Sequence, residues 1–448
     1  MDTLENRLQK RIHASLYALL FLTGLLGISV LLEGCTDKCE VTNEYTFYEP
    51  VYTTLDELRS SVSVAAPEPI NTVGKIYYKD NYLFINEPGK GIHVIDNHNP
   101  SAPVNKSFIT VPGNYDLAIK GSMLYADSFI DLVVLDIASF ADIKEVNRIE
   151  NIFSNYNSLG FYLDAQKGLV TDWVEKQNVM VDKSDCDAAD IGTQPWGGIY
   201  YEDGIALASY ASFDKSAAIA PGNGSGPGVG GSMARFTISQ DHLYTLDVGA
   251  LQAVDITDAK NPVAKAKTYV NFDIETIFPH DDHLFIGSSS GMYIYDISAP
   301  ASPLHISTYS HVRSCDPVIV DGDYAYVTLR SGTACQGFTN QLEVIDIKDV
   351  KNPQLMKTYS MTNPHGLGKD NATLFICDGT AGLKVYDASD INTIDTRQLA
   401  HYQDIHAYDV IPFNNTLMMI GEDGLFQYDY SDPKNIKLLS HIVASNEE

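Results

Sequence analysis

Across 448 residues, 30 Lys and Arg stand against 58 Asp and Glu, a formal net charge of −28 at neutral pH. So acidic a surface repels phosphate backbones, which argues against nucleic acid as a partner. The 27 Tyr and 17 Phe suit a protein made of strands packed face to face.

The N-terminus reads as a targeting segment: Arg7, Lys10 and Arg11 precede an apolar run from Leu16 to Leu32, and Leu32-Glu33-Gly34-Cys35 follows. That ending resembles a bacterial lipobox, which implies removal of residues 1–34 as a lipoprotein signal peptide and lipidation of Cys35. An uncleaved signal anchor is the alternative, because the run is just long enough to span a thin bilayer. Either outcome exports the remainder. Residues 35–71 then form a lipidated tether, and residues 72–445 the folded body. Thr36 after the lipidated Cys, where Asp would mark inner-membrane retention, sets the expectation of an outer-membrane lipoprotein at the cell envelope.

The body repeats one phrase seven times, a hydrophobic run ending in Asp and followed by a polar turn. The copies are GIHVIDNHNPSAP from Gly91, DLVVLDIASFADI from Asp131, ALQAVDITDAKNP from Ala250, GMYIYDISAPASP from Gly291, QLEVIDIKDVKNP from Gln341, GLKVYDASDINTI from Gly382 and GLFQYDYSDPKNI from Gly424. Their shared residues, Asp96, Asp136, Asp255, Asp296, Asp346, Asp387 and Asp429, lie 40, 119, 41, 50, 41 and 42 residues apart. A period near 40 made only of short strands predicts an all-β fold, a β-propeller with one four-stranded blade per unit. The repeated Asp ends the third strand, where its carboxylate can accept backbone N–H bonds in an Asx-turn.

The long step from Asp136 to Asp255 contains an insertion, about residues 152–231. Strand-like runs at 159–176 offer a degenerate eighth blade as the alternative to seven blades plus an excursion, the preferred reading. APGNGSGPGVGG at 220–231 reads as a flexible loop. The third-strand phrase resembles the LVIVD repeat over about residues 72–443 apart from the insertion. The resemblance implies a propeller from exported, Bacteroidetes-type lipoproteins and says little about activity. Ring closure is expected from the segment before Gly74 adding a strand to the last blade near residues 441–445.

Aligning the first strands places Lys75, Asp116, Arg235, Glu275, Pro317 (preceded by Asp316), His365 and Asp409 as a ring at the channel mouth, given one-residue longer turns in the Glu275 and His365 blades. Such a ring holds water as ordinary wet structure or, roofed by the loop 183–231, binds a small polar or saccharide-like ligand. Acidic second-strand ends at Glu87, Asp127, Asp247, Asp378 and Glu422 raise Ca²⁺ as a weak option without any calcium-loop spacing. In an oxidising compartment, antiparallel threading returns Cys315 and Cys335 to one face, which predicts a disulfide; Cys186 with Cys377 is a second option and Cys39 is left over.

No nucleophile-elbow, zincin, P-loop or dinucleotide fingerprint occurs. The best catalytic constellation would pair His365 as base with Asp409, Asp116 or Glu275, with His406 as a further candidate. The expected function is therefore a lipid-anchored, non-catalytic binding or scaffolding module for a glycan, peptide or envelope protein, with no resident cofactor. A surface hydrolase or lyase acting on carbohydrate is the runner-up.

Overall fold

A computed structural model describes residues 13, 40–140, 142–154, 161–185, 198–201, 204–207, 228–314, 317–332 and 339–445. The chain divides into two compact units, residues 1–49 with 174–209, and residues 50–173 with 210–448. In the first, the strand beginning at Glu40 pairs with Gly204–Leu207, which pairs with Gly198–Tyr201. The second contains seven blades, each with four antiparallel strands contiguous in sequence, blade 1 being extended to six by strands from elsewhere, with inner strands Ile76–Lys79, Leu117–Lys120, Phe236–Ser239, Ile274–His280, Val318–Asp321, Leu367–Asp370 and Ala407–Phe413. Seven is thus the blade count among the described residues. The stretch 159–176 supplies a hairpin, Leu163–Asp164 against the start of Gly168–Asp185, and not an eighth blade.

Each repeat builds its blade by the same local devices. The inner hairpin turns over two residues in all seven blades, with positive φ at Asp80, Gly121, Gln240, Asp281, Gly322, Asn371 and Asn414, the handedness that matches strand twist. The repeated Asp accepts the backbone N–H two residues on in every blade, at His98, Ala138, Thr257, Ser298, Lys348, Ser389 and Ser431. Its role is therefore the Asx-turn read from the sequence. The outer strand carries a register shift in all seven blades, which twists each rim edge away from pairing with other chains.

The core lies between neighbouring blades. Apolar clusters join blades 1, 2 and 3, then 3 and 4, then 4, 5 and 6, then 6 and 7. Ile76, Leu83 and Ile85 of blade 1 meet Ile411, Met418 and Ile420 of blade 7 and close the circle. Tyr hydroxyls reinforce the joints: Tyr125 donates to the Ala259 carbonyl at 2.7 Å and Tyr244 to that of Pro300 at 2.9 Å. At the seam, Asn97 and Gln427 exchange two buried amide hydrogen bonds of 2.8 and 2.7 Å. The expected closing strand before Gly74 is a single parallel bridge, Ile70 to Ala444, backed by the Ser445 N–H donating to the Ile70 carbonyl.

The stretch read as a tether has elements of its own from Glu40 onward. Thr54 and Glu57 form a capping box on the helix Leu55–Ser60. Arg59 of this helix makes a two-pronged contact with the fully buried Asp131 of blade 2, which Arg148 also approaches. Ser63–Ala65 then adds a strand to the outer edge of blade 1. Among the described residues no helix is long and apolar enough to cross a membrane.

Candidate functional site

The inner strands begin on one face, here the upper face, which also carries the loops between second and third strands. Ladder register fixes the ring there. Ile76 pairs with Ile85, Leu117 with Ala126, Phe236 with Thr245, Ile277 with Ile286, Val318 with Val327, Leu367 with Ile376 and Val410 with Met419. The residues one step earlier are Lys75, Asp116, Arg235, Thr276, Pro317, Gly366 and Asp409. Glu275 and His365 are each displaced by one, because their blades have the same two-residue turn as the others: His280 pairs with His283 and Asp370 with Thr373. Asp316 lies outside the described residues.

A segment read as flexible loop crosses the axis at this level. The Gly228 N–H donates to the Ile119 carbonyl, Val229 and Gly230 pair with Tyr78 and Tyr77, and the Gly231 N–H reaches Ile76. Ser232 accepts from the Leu367 N–H at 2.8 Å and donates to Asp409 Oδ1 at 3.3 Å, while the Ala234 carbonyl accepts from Ile277. Glycine permits the approach: a Cβ on Gly228 would stand 2.3 Å from the Tyr77 ring and 2.7 Å from the Tyr78 carbonyl. One short stretch thus ties together inner strands from blades 1, 2, 4, 6 and 7.

Two ring carboxylates serve this hub. Asp116 Oδ2 accepts from Lys75 Nζ at 2.9 Å, the Arg235 N–H at 2.6 Å and the Phe236 N–H at 3.1 Å, and its Oδ1 accepts from the Leu117 N–H. Burial holds Lys75 below its ordinary range, helped by Arg235 and opposed by Asp116. Asp409 is fully buried and takes the Ser232 hydroxyl.

The acidic second-strand ends brace upper-face loops. Asp127 accepts from the N–H groups of Tyr115 and Asp116 and from Asn114 Nδ2. Burial outweighs those bonds and, with Asp116 nearby, lifts its carboxyl to about 6. Glu87 meets His93, Lys90 and the Asn71 N–H, which together overcome its burial and draw it down to about 2. Asp247 takes Ser154 and Lys267, and Asp378 takes the N–H groups of Thr362 and Asn363 with Lys384. Among the described residues no group of three or more His, Cys, Asp or Glu is placed to hold a metal ion. The Ca²⁺ option therefore has no assembled site among them.

His365 occupies a different setting, between blades 6 and 7. It is only 4% exposed, its Nε2 lies 3.3 Å from Asn363 Nδ2, and its Nδ1 is buried with no partner. The His406 and Tyr408 rings flank it, with centroids 6.1 and 5.6 Å away, and His406 Nδ1 is 2.7 Å from Glu422 Oε2. Burial, then the charge of Arg330 and the neighbouring His406, push the His365 imidazole down to about 2, so it is neutral at physiological pH. Among the described residues no hydrogen bond joins it to Asp116, Glu275 or Asp409, the partners that the runner-up catalytic reading would give it. Sequence reasoning named His406 and Glu422 but missed Asn363 and Tyr408, which flank the same inner-strand starts.

Cys377 is a buried free thiol. Cys35, Cys39, Cys186, Cys315 and Cys335 lie outside the described residues, and with them the lipidation and disulfide expectations.

The profile of the LVIVD repeat matches residues 72–111, 280–311 and 313–361, which hold blades 1 and 5 and most of blade 4. No curated protein matches the chain. Solved structures similar to it include the computationally designed Ika8 protein, 9% identical with a TM-score of 0.46 over 85% of this chain and 91% of that one. PorZ, described as a surface component of the type-IX secretion system of Porphyromonas gingivalis, is 13% identical with a TM-score of 0.45 over 85% of this chain, which spans 39% of PorZ. BamB from Moraxella catarrhalis is 8% identical with a TM-score of 0.42, over 86% of this chain and 97% of that one. With seven contiguous four-stranded blades and a third-strand motif repeated in each, this chain is a β-propeller carrying LVIVD repeats.

Proposed function

We propose that this propeller is a non-catalytic binding or scaffolding module, held at the cell envelope by a lipid on Cys35 and engaging a glycan, peptide or envelope protein through its upper face. The observation that carries the reading is the hub: Asp116 and Asp409 are engaged with the chain's own segment 228–236, so the axis is structural and the surrounding loops present the binding surface. Support comes from the connections between blades 3, 4 and 5, where Phe272 is 79% exposed beside Tyr269 and Val312 is also exposed. Large apolar side chains so displayed commonly mark contact surfaces.

Radiolabelled palmitate incorporation with cell fractionation tests the anchor. Label and outer-membrane fractionation are expected in the parent and lost in Cys35→Ala; an unlabelled variant that stays membrane-bound identifies a signal anchor. Alkylation and mass mapping under non-reducing conditions test the Cys315–Cys335 bridge. Binding is tested by thermal shift with a glycan panel on a soluble chain beginning at Thr36, since a ligand that prefers the folded form raises the midpoint. No shift with any glycan moves the reading to peptide or protein partners.

A further inference from the structure

The corner between blades 6 and 7 combines features that the hub does not use. His365 is buried, and whichever tautomer it adopts leaves Nδ1 an unsatisfied polar atom: a donor if Nε2 accepts from Asn363, an acceptor if the Asn363 amide is turned over. A lone buried polar group costs about 1–3 kcal/mol, and a natural protein retains one where something else meets it. Around it stand an amide, Asn363, and the aromatic faces of His406 and Tyr408, whose centroids are 4.9 Å apart. A carboxylate, Glu422, sits at the rim and is about half exposed.

These groups select a chemistry. A hydroxyl can satisfy Nδ1 in either tautomer, because like water it both donates and accepts. His406 Nδ1 meets Glu422 Oε2 at 2.7 Å, so the corner sets several hydrogen-bonding groups side by side. Aromatic faces next to mixed hydrogen-bonding groups suit a ring with polar edges and apolar C–H faces. Arg330 and Glu422 bring charges of opposite sign to the corner, which favours neither an anionic nor a cationic ligand.

We propose that the corner formed by His365, Asn363, His406, Tyr408 and Glu422 is a binding site for a neutral pyranose, one residue of an uncharged glycan. This rests on the binding-module reading above and names its ligand class and its place. The site lies at the start of the blade 6 and 7 inner strands, beside the closed axis and not within it.

The test is a ¹⁵N-histidine spectrum of the full soluble chain, with His365 assigned by His365→Phe and titrated with the methyl pyranosides of glucose, galactose, mannose and N-acetylglucosamine. Single sugars bind weakly, so titrations run to about 50 mM. The expected result is a saturable shift of the His365 nitrogens with at least one neutral pyranoside, and a Kd about tenfold weaker in Asn363→Ala, which leaves the buried ring in place. A response to methyl glucuronide alone overturns the neutral class. Shifts at other histidines with His365 silent overturn the site but leave the binding module intact. No shift with any pyranoside overturns the inference, while the thermal-shift panel and partner tests judge the broader reading separately.

Discussion

Two corners of the upper face, two joints apart in the blade order, treat ionisable residues in opposite ways. Between blades 1 and 2, the Asp116 carboxylate is surrounded by an ammonium and three backbone N–H groups, and Asp127 by three further donors. Between blades 6 and 7, an equally buried imidazole keeps one nitrogen unmatched. A buried charge ringed by internal donors is explained by the fold it holds together. A buried imidazole nitrogen without a partner is not, which makes the second corner a place to look for a ligand.

The sharpest way to break the contrast is Asp116→Ala. It strands the Lys75 ammonium and three N–H groups, and denaturant unfolding is expected to show a loss of about 3–5 kcal/mol. A loss under about 1 kcal/mol would mean that the hub is not structural. Gly366→Ala probes the hub from the other side, since its Cβ would lie 2.0 Å from Asp409 Oδ1 and 3.0 Å from Ser232 Oγ. Overpacking of this kind costs about 1–3 kcal/mol, read from the same unfolding curves.

Acid separates the corners by sign. His365 is depressed when folded, so the unfolded chain binds the extra proton, and stability from this group falls as pH drops below about 6.5. The slope approaches about 1.4 kcal/mol per pH unit and is expected to vanish in His365→Gln. Asp127 is raised to about 6, so the folded chain binds its proton more tightly, and stability from this group rises as pH falls from 7 towards 4. Asp127→Asn is expected to steepen the acid loss, and stability against pH in the two variants reads both. The smallest effect is a turn: Asp346→Ala removes one Asx hydrogen bond, to the Lys348 N–H at 2.9 Å, for about 1 kcal/mol.

Much of the propeller was legible because its determinants are local. Period, hairpin turns and the repeated Asp all act within one blade, and seven copies of Asp96 and its equivalents fall into the same turn. What escaped is non-local. Val229 and Gly230 read as linker because glycine-rich sequence has no strand propensity, yet their pairing depends on Tyr77 and Tyr78, about 150 residues away. The strand alignment agrees with the ladder register at Lys75, Asp116, Arg235 and Asp409 and differs from it by one residue at Glu275 and His365, since alternation cannot show where a ladder begins. The His365 corner was half visible: the ionisable members could be named, but not that they would leave a nitrogen unmatched.

The seam has a consequence for how the chain comes to be folded. Asn97 finds Gln427, and Ile70 finds Ala444, only after more than 300 intervening residues exist. Such contacts are the slowest to form, because loop closure must precede any reward. Six joints between blades can assemble as synthesis proceeds, but the seventh waits for the last two turns of the chain. Until then both faces of the seam stand open to water and to other chains. Losing Lys437–Val443 and Ala444 would strip the last blade of its outer edge and the wheel of its bridge, leaving the apolar seam and the Asn97–Gln427 pair to hold it shut.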